Sequence, residues 1–111
     1  MFLYDSKTYK ISMIEHDWGI KLPIIFHIEG GSFSESDIIR ISIYKEMNTE
    51  PIITKDFALS DNTIMFELNE EESELLPVGK YYYDIDLVNT GSYLNNLLPK
   101  KRFVILEKAG E

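Results

Sequence analysis

Apolar residues recur at every second position along most of the chain, and this alternation predicts a protein built from β-strands. Between residues 20 and 28, each even-numbered position is isoleucine, leucine or phenylalanine. Because successive side chains of a strand point to opposite faces, a period of two indicates a strand with one buried face. The alternation predicts about seven strands, drawn from Tyr9–Ile14, Ile20–Ile28, Ile38–Tyr44, Pro51–Asp56 (an edge strand), Thr63–Leu68, Lys80–Val88, Tyr93–Leu98 and Lys101–Leu106.

One segment, residues 69–76, has the sequence of a short helix. Asn69 is a suitable N-cap, and Glu72 follows three residues later, as in a capping box. Several acidic residues fall in the first turn, where the helix dipole favours negative charge. Pro77 and Gly79 end the segment, so it is predicted to be a connector of one or two turns.

The number of strands and the spacing of the turns predict the fold class. The chain of 111 residues is of the size of one domain, which we expect to span residues 1–111. Turn signals separate the strands at intervals of about 8–12 residues, which is typical of a sandwich. The expected fold is an all-β, immunoglobulin-like, two-sheet antiparallel β-sandwich with one short helical connector.

The most distinctive stretch runs from Leu76 to Asp84 and contains three consecutive tyrosines. A glycine before a strand, here Gly79, followed by a tyrosine two residues before a core position resembles the tyrosine corner of immunoglobulin-like sandwiches. In this interpretation the Tyr81 hydroxyl bonds to backbone upstream, and Tyr83 takes a core position. The alternative is that both are core tyrosines of an ordinary strand.

The order of these features resembles a family of small structural proteins of phages and prophages of Gram-positive bacteria. It is similar to the immunoglobulin-like domain at the start of tailed-phage baseplate upper proteins, over residues 9–107. The segments that carry the resemblance are Ile11–Met13, Leu22–Phe26, Asp37–Lys45, Ile64–Leu68, Leu76–Leu87 and Phe103–Ile105. The resemblance implies a non-enzymatic structural or adaptor protein of the tail or baseplate, which binds a protein partner or itself, and it offers no catalytic residues.

Composition and charge narrow the function further. The formal net charge is −8, from 19 acidic and 11 basic residues, which disfavours binding to nucleic acids and to anionic membranes. The absence of cysteine excludes disulfides and thiol chemistry. Neither a signal peptide nor an apolar stretch long enough to cross a membrane is evident. We therefore expect the protein in the virion or in the cytoplasm of the host bacterium.

Candidate chemical groups are few, and for each a structural role is favoured. The two histidines, His16 and His27, would need a carboxylate partner to hold a metal. Asp84 and Asp86 share a strand face and could bind calcium, but a solvated face or a salt bridge to Lys80 or Arg40 is favoured. The acidic run Glu70–Glu74 is interpreted as a solvated connector, and the basic run Lys100–Arg102 as a balance to the acidic surface. The expectation is that the protein is not an enzyme, has no cofactor or metal, and binds no small molecule.

Four aromatic residues are candidates for an interface, because outward tyrosines and tryptophans are enriched where proteins meet. They are Trp18, Tyr44, Tyr82 and Tyr93. The alternative function is a carbohydrate-binding or adhesive module, in which Tyr82 would form a sugar platform beside Asp84 and Asp86.

Overall fold

A computed structural model describes residues 2–26, 37–89 and 93–108, without the side chains of residues 89 and 93–95. Strands account for most of the described chain, and the one helix among them is short. The elements are β1 (Phe2–Tyr4), β2 (Ile11–Ile14), β3 (Leu22–Ile25), β4 (Ile38–Tyr44), β5 (Pro51–Ala58), β6 (Thr63–Phe66), α1 (Glu70–Glu74), β7 (Gly79–Asn89) and β8 (Tyr93–Leu106).

The strands form two sheets arranged like a sandwich. The larger sheet has six strands in the order β1-β2-β8-β7-β4-β5, and the smaller sheet pairs β3 with β6. β2 and β8 run parallel, with Ile11 opposite Phe103, whereas the other pairs are antiparallel. The predicted all-antiparallel arrangement is therefore wrong, and the large sheet is mixed. Side-chain alternation is the same in both kinds of pairing, so the sequence pattern does not distinguish them.

A cluster of aromatic rings fills the space between the two sheets. Phe66 of β6 lies 5.6 Å from Phe2, 5.8 Å from Phe57 and 6.2 Å from Phe103, measured between ring centroids. Tyr83 continues the cluster at 6.2 Å from Phe103, edge to face. The inward stripes of β2, β4 and β7 complete the core, and their isoleucines are fully buried. Tilted and edge-to-face pairs of this kind add to the free energy gained from burial.

Several local predictions are confirmed. β4 occupies the predicted range, and β5 is an edge strand. The capping box is present, because the Asn69 side chain accepts a hydrogen bond from the Glu72 amide at 2.8 Å and the Glu72 carboxylate accepts one from the Asn69 amide at 2.9 Å. The predicted strand over residues 20–28 is shorter, at Leu22–Ile25. Its continuation, with His27, lies outside the described residues.

The two strands predicted at the end of the chain are one continuous strand, β8. Tyr83 pairs with Lys101 and Ile85 with Leu98, so Asp84 alone faces two residues, Pro99 and Lys100. This arrangement is a β-bulge, and it accommodates a proline, which has no N–H to give to the ladder. Because the bulge keeps the strand continuous past Pro99, the predicted strands Tyr93–Leu98 and Lys101–Leu106 are parts of one strand.

Candidate functional site

Tyr81 and Tyr83 are both buried, and each hydroxyl reaches a backbone carbonyl. The Tyr81 hydroxyl donates a hydrogen bond to the Pro77 carbonyl, 2.6 Å away and upstream of Gly79. The Tyr83 hydroxyl donates to the Tyr9 carbonyl and so ties β7 to the segment between β1 and β2. Burial raises the pKa of both hydroxyls, which keeps them neutral donors. These contacts are structural and define how the start of β7 is held.

Tyr81→Phe should lower the free energy of unfolding by about 0.5–1.5 kcal/mol, because it removes one buried hydrogen bond and leaves the Pro77 carbonyl without that donor. Urea unfolding followed by circular dichroism measures the change. Tyr82→Phe, on the opposite face of the same strand, is the matched control and should have little effect. Equal stability of Tyr81→Phe and the unmodified protein would show that Tyr81 stabilises the fold only through the packing of its ring.

Asp84 lies near the centre of the outer face of the six-stranded sheet, between Ser42 of β4 and the bulge of β8. It is 9% exposed. The Tyr44 hydroxyl donates a hydrogen bond to Asp84 Oδ2 at 3.0 Å, whereas the buried Oδ1 has no hydrogen-bond partner. A buried carboxylate oxygen without a donor is uncommon in folded proteins.

The bulge at Pro99 explains the surroundings of this carboxylate. It places Lys100 so that Nζ lies 3.9 Å from the centroid of the Tyr44 ring and donates a hydrogen bond to the Met47 carbonyl. Burial raises the pKa of Asp84, the nearby charge of Asp86 adds to this effect, and the Tyr44 hydrogen bond and the Lys100 charge oppose it. The fold therefore holds a carboxylate where its ionised form is disfavoured.

The neighbouring charges on this face have partners of their own. Asp86 accepts a hydrogen bond from the Asn96 side chain at 2.9 Å. Arg40 binds Asp56 through two hydrogen bonds of 2.8 and 3.1 Å, which lower the pKa of Asp56. Asp84 and Asp86 therefore do not form a free pair of carboxylates, and Arg40 pairs with β5 instead.

A groove of about 420 Å³ opens beside Tyr82 at the side of the sheet where β8 meets the β1–β2 segment. Its lining residues are Asp5, Thr8, Lys10, Tyr82, Lys100, Lys101 and Arg102. The predicted basic run thus lines a groove, and the pairing of β2 with β8 brings Lys10 to it. Among the described residues, no carboxylate oxygen lies within 4.0 Å of the charged nitrogens of these four bases. We call this feature the basic groove.

An apolar surface covers the outer face of the small sheet. Ile25 is 62% exposed and Met65 is 50% exposed, and Pro23 lies directly opposite Met65. We call these three residues the β3–β6 apolar face. Strand alternation alone does not predict this face, although Pro23 and Ile25 interrupt the polar stripe of the predicted strand and are a signal of it. Trp18, a predicted interface residue, is also exposed, whereas Tyr44 and Tyr82 are partly buried and the Tyr93 side chain lies outside the described residues.

The remaining candidate residues from the sequence do not come together in a site. His16 lies in a turn with its Nε2 4.0 Å from the Glu15 carboxylate. Over the described ranges, no three histidine, aspartate or glutamate side chains are grouped so as to hold a metal ion. The single helix of the described chain, α1, is far too short to cross a membrane.

Comparisons of the chain with protein-family models, with curated proteins and with solved structures found no match.

Proposed function

We propose that the chain is a non-enzymatic structural or adaptor protein of a phage or prophage particle, of the tail or baseplate type, which acts through protein–protein contacts. The observation that carries the proposal is the β3–β6 apolar face. Single exposed apolar residues are ordinary on protein surfaces, but Ile25 and Met65 lie on neighbouring strands of one face. An apolar patch of this kind is suited to a protein partner.

Two further features support this proposal. In the described chain, β1 and β5 are edges of the large sheet, and the small sheet has only two strands. Sheet edges present backbone donors and acceptors that another protein can pair with. The Tyr81 hydroxyl bonds upstream to the Pro77 carbonyl, which supports an immunoglobulin-like version of the sandwich and agrees with the resemblance of residues 76–87 to phage proteins.

The double variant Ile25→Gln/Met65→Gln should fail to enter particles, because it makes the apolar face polar without adding charge. The experiment induces particles from the bacterium that carries the sequence, supplies the tagged variant, and quantifies the chain in purified particles by mass spectrometry. Incorporation should fall at least about tenfold, as for the loss of a central interface contact.

Met47→Gln is the matched control, since Met47 is 47% exposed but lies in the β4–β5 turn. It should be incorporated like the unmodified chain. Absence of the unmodified chain from all particles would refute the proposed function, and normal incorporation of the double variant would refute the role of this face.

A carbohydrate-binding module is the second candidate, and the position of Tyr82 on the wall of the basic groove favours it. Its expected polar partners are not in the groove, however. Asp84 is buried beneath Tyr44, and Asp86 is bonded to Asn96. The protein-contact function is therefore preferred.

A further inference from the structure

The basic groove has a charge opposite to that of the chain as a whole. Four of the eleven basic residues line it, in a chain of net charge −8. Its one acidic residue, Asp5, accepts hydrogen bonds from the backbone amides of Lys7 and Thr8, which lower the pKa of Asp5 and direct its carboxylate to the turn. The groove is thus a local positive surface that is suited to an acidic ligand.

The same chain carries an acidic segment of defined shape. Glu70, Glu71 and Glu74 of α1 are exposed. Glu72, by contrast, closes the capping box and binds Lys55 Nζ at 2.8 Å. Lys55 also donates to the carbonyl of Glu67, which precedes the segment, at 2.6 Å, so one lysine holds both α1 and the chain before it against β5. A ligand that is already held in shape loses little conformational entropy on binding.

The acidic segment and the basic groove of one chain do not meet, since no ion pair joins them among the described residues. The segment is fixed to β5, an edge strand of the large sheet, whereas the groove is lined by β7, β8 and the β1–β2 segment. Ser73 of the segment faces residues 13–16, at the end of β2, and Ile105 of β8, whereas the groove is lined by Lys10, before β2, and residues 100–102 of β8. Among the described residues, an acidic segment at the groove would therefore have to come from another molecule.

We propose that the basic groove binds the Glu70–Glu74 segment of a second copy of this chain. The two surfaces differ, so the contact is head-to-tail and can repeat, and it gives a ring if the rotation closes or a filament if it does not. This inference rests on the proposed function, for which it names one partner. Nucleic acid is a poorer occupant, because the chain as a whole, at net −8, repels phosphate.

The test uses charge reversal on each surface in turn. The groove variant is Lys101→Glu/Arg102→Glu, and the segment variant is Glu71→Lys/Glu74→Lys. Sedimentation velocity of the purified chains at low ionic strength measures self-association, since salt screens such contacts. The unmodified chain should associate with increasing concentration and dissociate in high salt, whereas each variant alone should remain monomeric.

An equimolar mixture of the two variants should associate again, because each reversed surface then meets its complement. Lys21→Glu/Lys45→Glu changes the net charge as the groove variant does, but at exposed bases outside the groove, and should associate like the unmodified chain. Circular dichroism verifies that every variant is folded.

An unmodified chain that stays monomeric at high concentration would overturn the inference, as would a mixture that stays monomeric. Binding of the groove to poly-glutamate or to DNA by a chain that does not self-associate would also overturn it. Failure here is distinguishable from failure of the proposed function, since a monomeric chain can still enter particles through the β3–β6 apolar face, and a self-associating chain can be absent from them.

Discussion

Phe66→Ala should lower the free energy of unfolding by about 3–5 kcal/mol, the largest effect expected from any single substitution considered for this protein. Phe66 is fully buried and joins the small sheet to the large one through ring contacts with Phe2, Phe57 and Phe103. Removal of the Phe66 ring leaves a cavity between the two sheets. These sheets are not joined by strand pairing, so they depend on side-chain packing of this kind. Urea unfolding at neutral pH, followed by fluorescence and circular dichroism, measures the change.

Met65→Ala is the control, because Met65 is the neighbour of Phe66 on β6 and points to solvent. It should change the free energy of unfolding by about 0.5 kcal/mol or less. If the two substitutions had similar effects, the small sheet would not pack on the large one through Phe66, and the two-layer arrangement would be wrong.

Asp84→Asn should stabilise the protein at neutral pH by about 1–3 kcal/mol, since it removes a buried charge while the amide oxygen can still accept the Tyr44 hydrogen bond. Burial raises the pKa of Asp84 in the folded state, so the folded protein binds this proton more tightly than the unfolded chain does. Below the ordinary aspartate pKa both states are protonated, and the variant should gain nothing. The gain should develop as the pH rises through the raised folded-state pKa and then stay constant.

The measurement is thermal or urea unfolding of both proteins across this pH range. Asp86→Asn is the control on the same face, because an amide oxygen at this position can still accept the Asn96 hydrogen bond. A variant that is less stable than the unmodified protein at neutral pH would show that the Asp84 carboxylate is favourably solvated or bonded in solution. A gain that is independent of pH would show that the charge of Asp84 is not its cause.

Local features of the fold were predictable from the sequence, whereas pairings between distant segments were not. The range of β4 follows from its own alternation, and the capping box follows from Asn69 and Glu72 three residues apart. β1 has only three residues, too few for a periodic pattern, and it exists because Phe2 pairs with Met13 of β2. The parallel pairing of β2 with β8 depends on segments from opposite parts of the chain.

In the candidate site, too, local features are predictable from the sequence and contacts between distant segments are not. The alternation correctly placed Asp84 on the outer face of its strand, and the expectation was a solvated or salt-bridged carboxylate. Its burial comes from the bulge at Pro99 and from Tyr44 on the neighbouring strand, neither of which a single-strand pattern includes. In the same way, the basic run Lys100–Arg102 is evident in the sequence, but Lys10 joins it only through the pairing of β2 with β8.

The position of β8 has a consequence for the biosynthesis of the chain. β8 follows the other described strands in sequence, yet it lies between β2 and β7 within the large sheet. A nascent chain that ends at residue 89 holds β1–β2 and β7–β4–β5 as separate pieces, each with an open edge where β8 will lie. Ile11 and Phe103 are separated by most of the sequence, so bringing them together costs a large loop-closure entropy. Completion of the sheet is therefore expected to be slow. Until translation passes residue 106, the open edges of β2 and β7 can pair with nascent chains on neighbouring ribosomes of the same polysome.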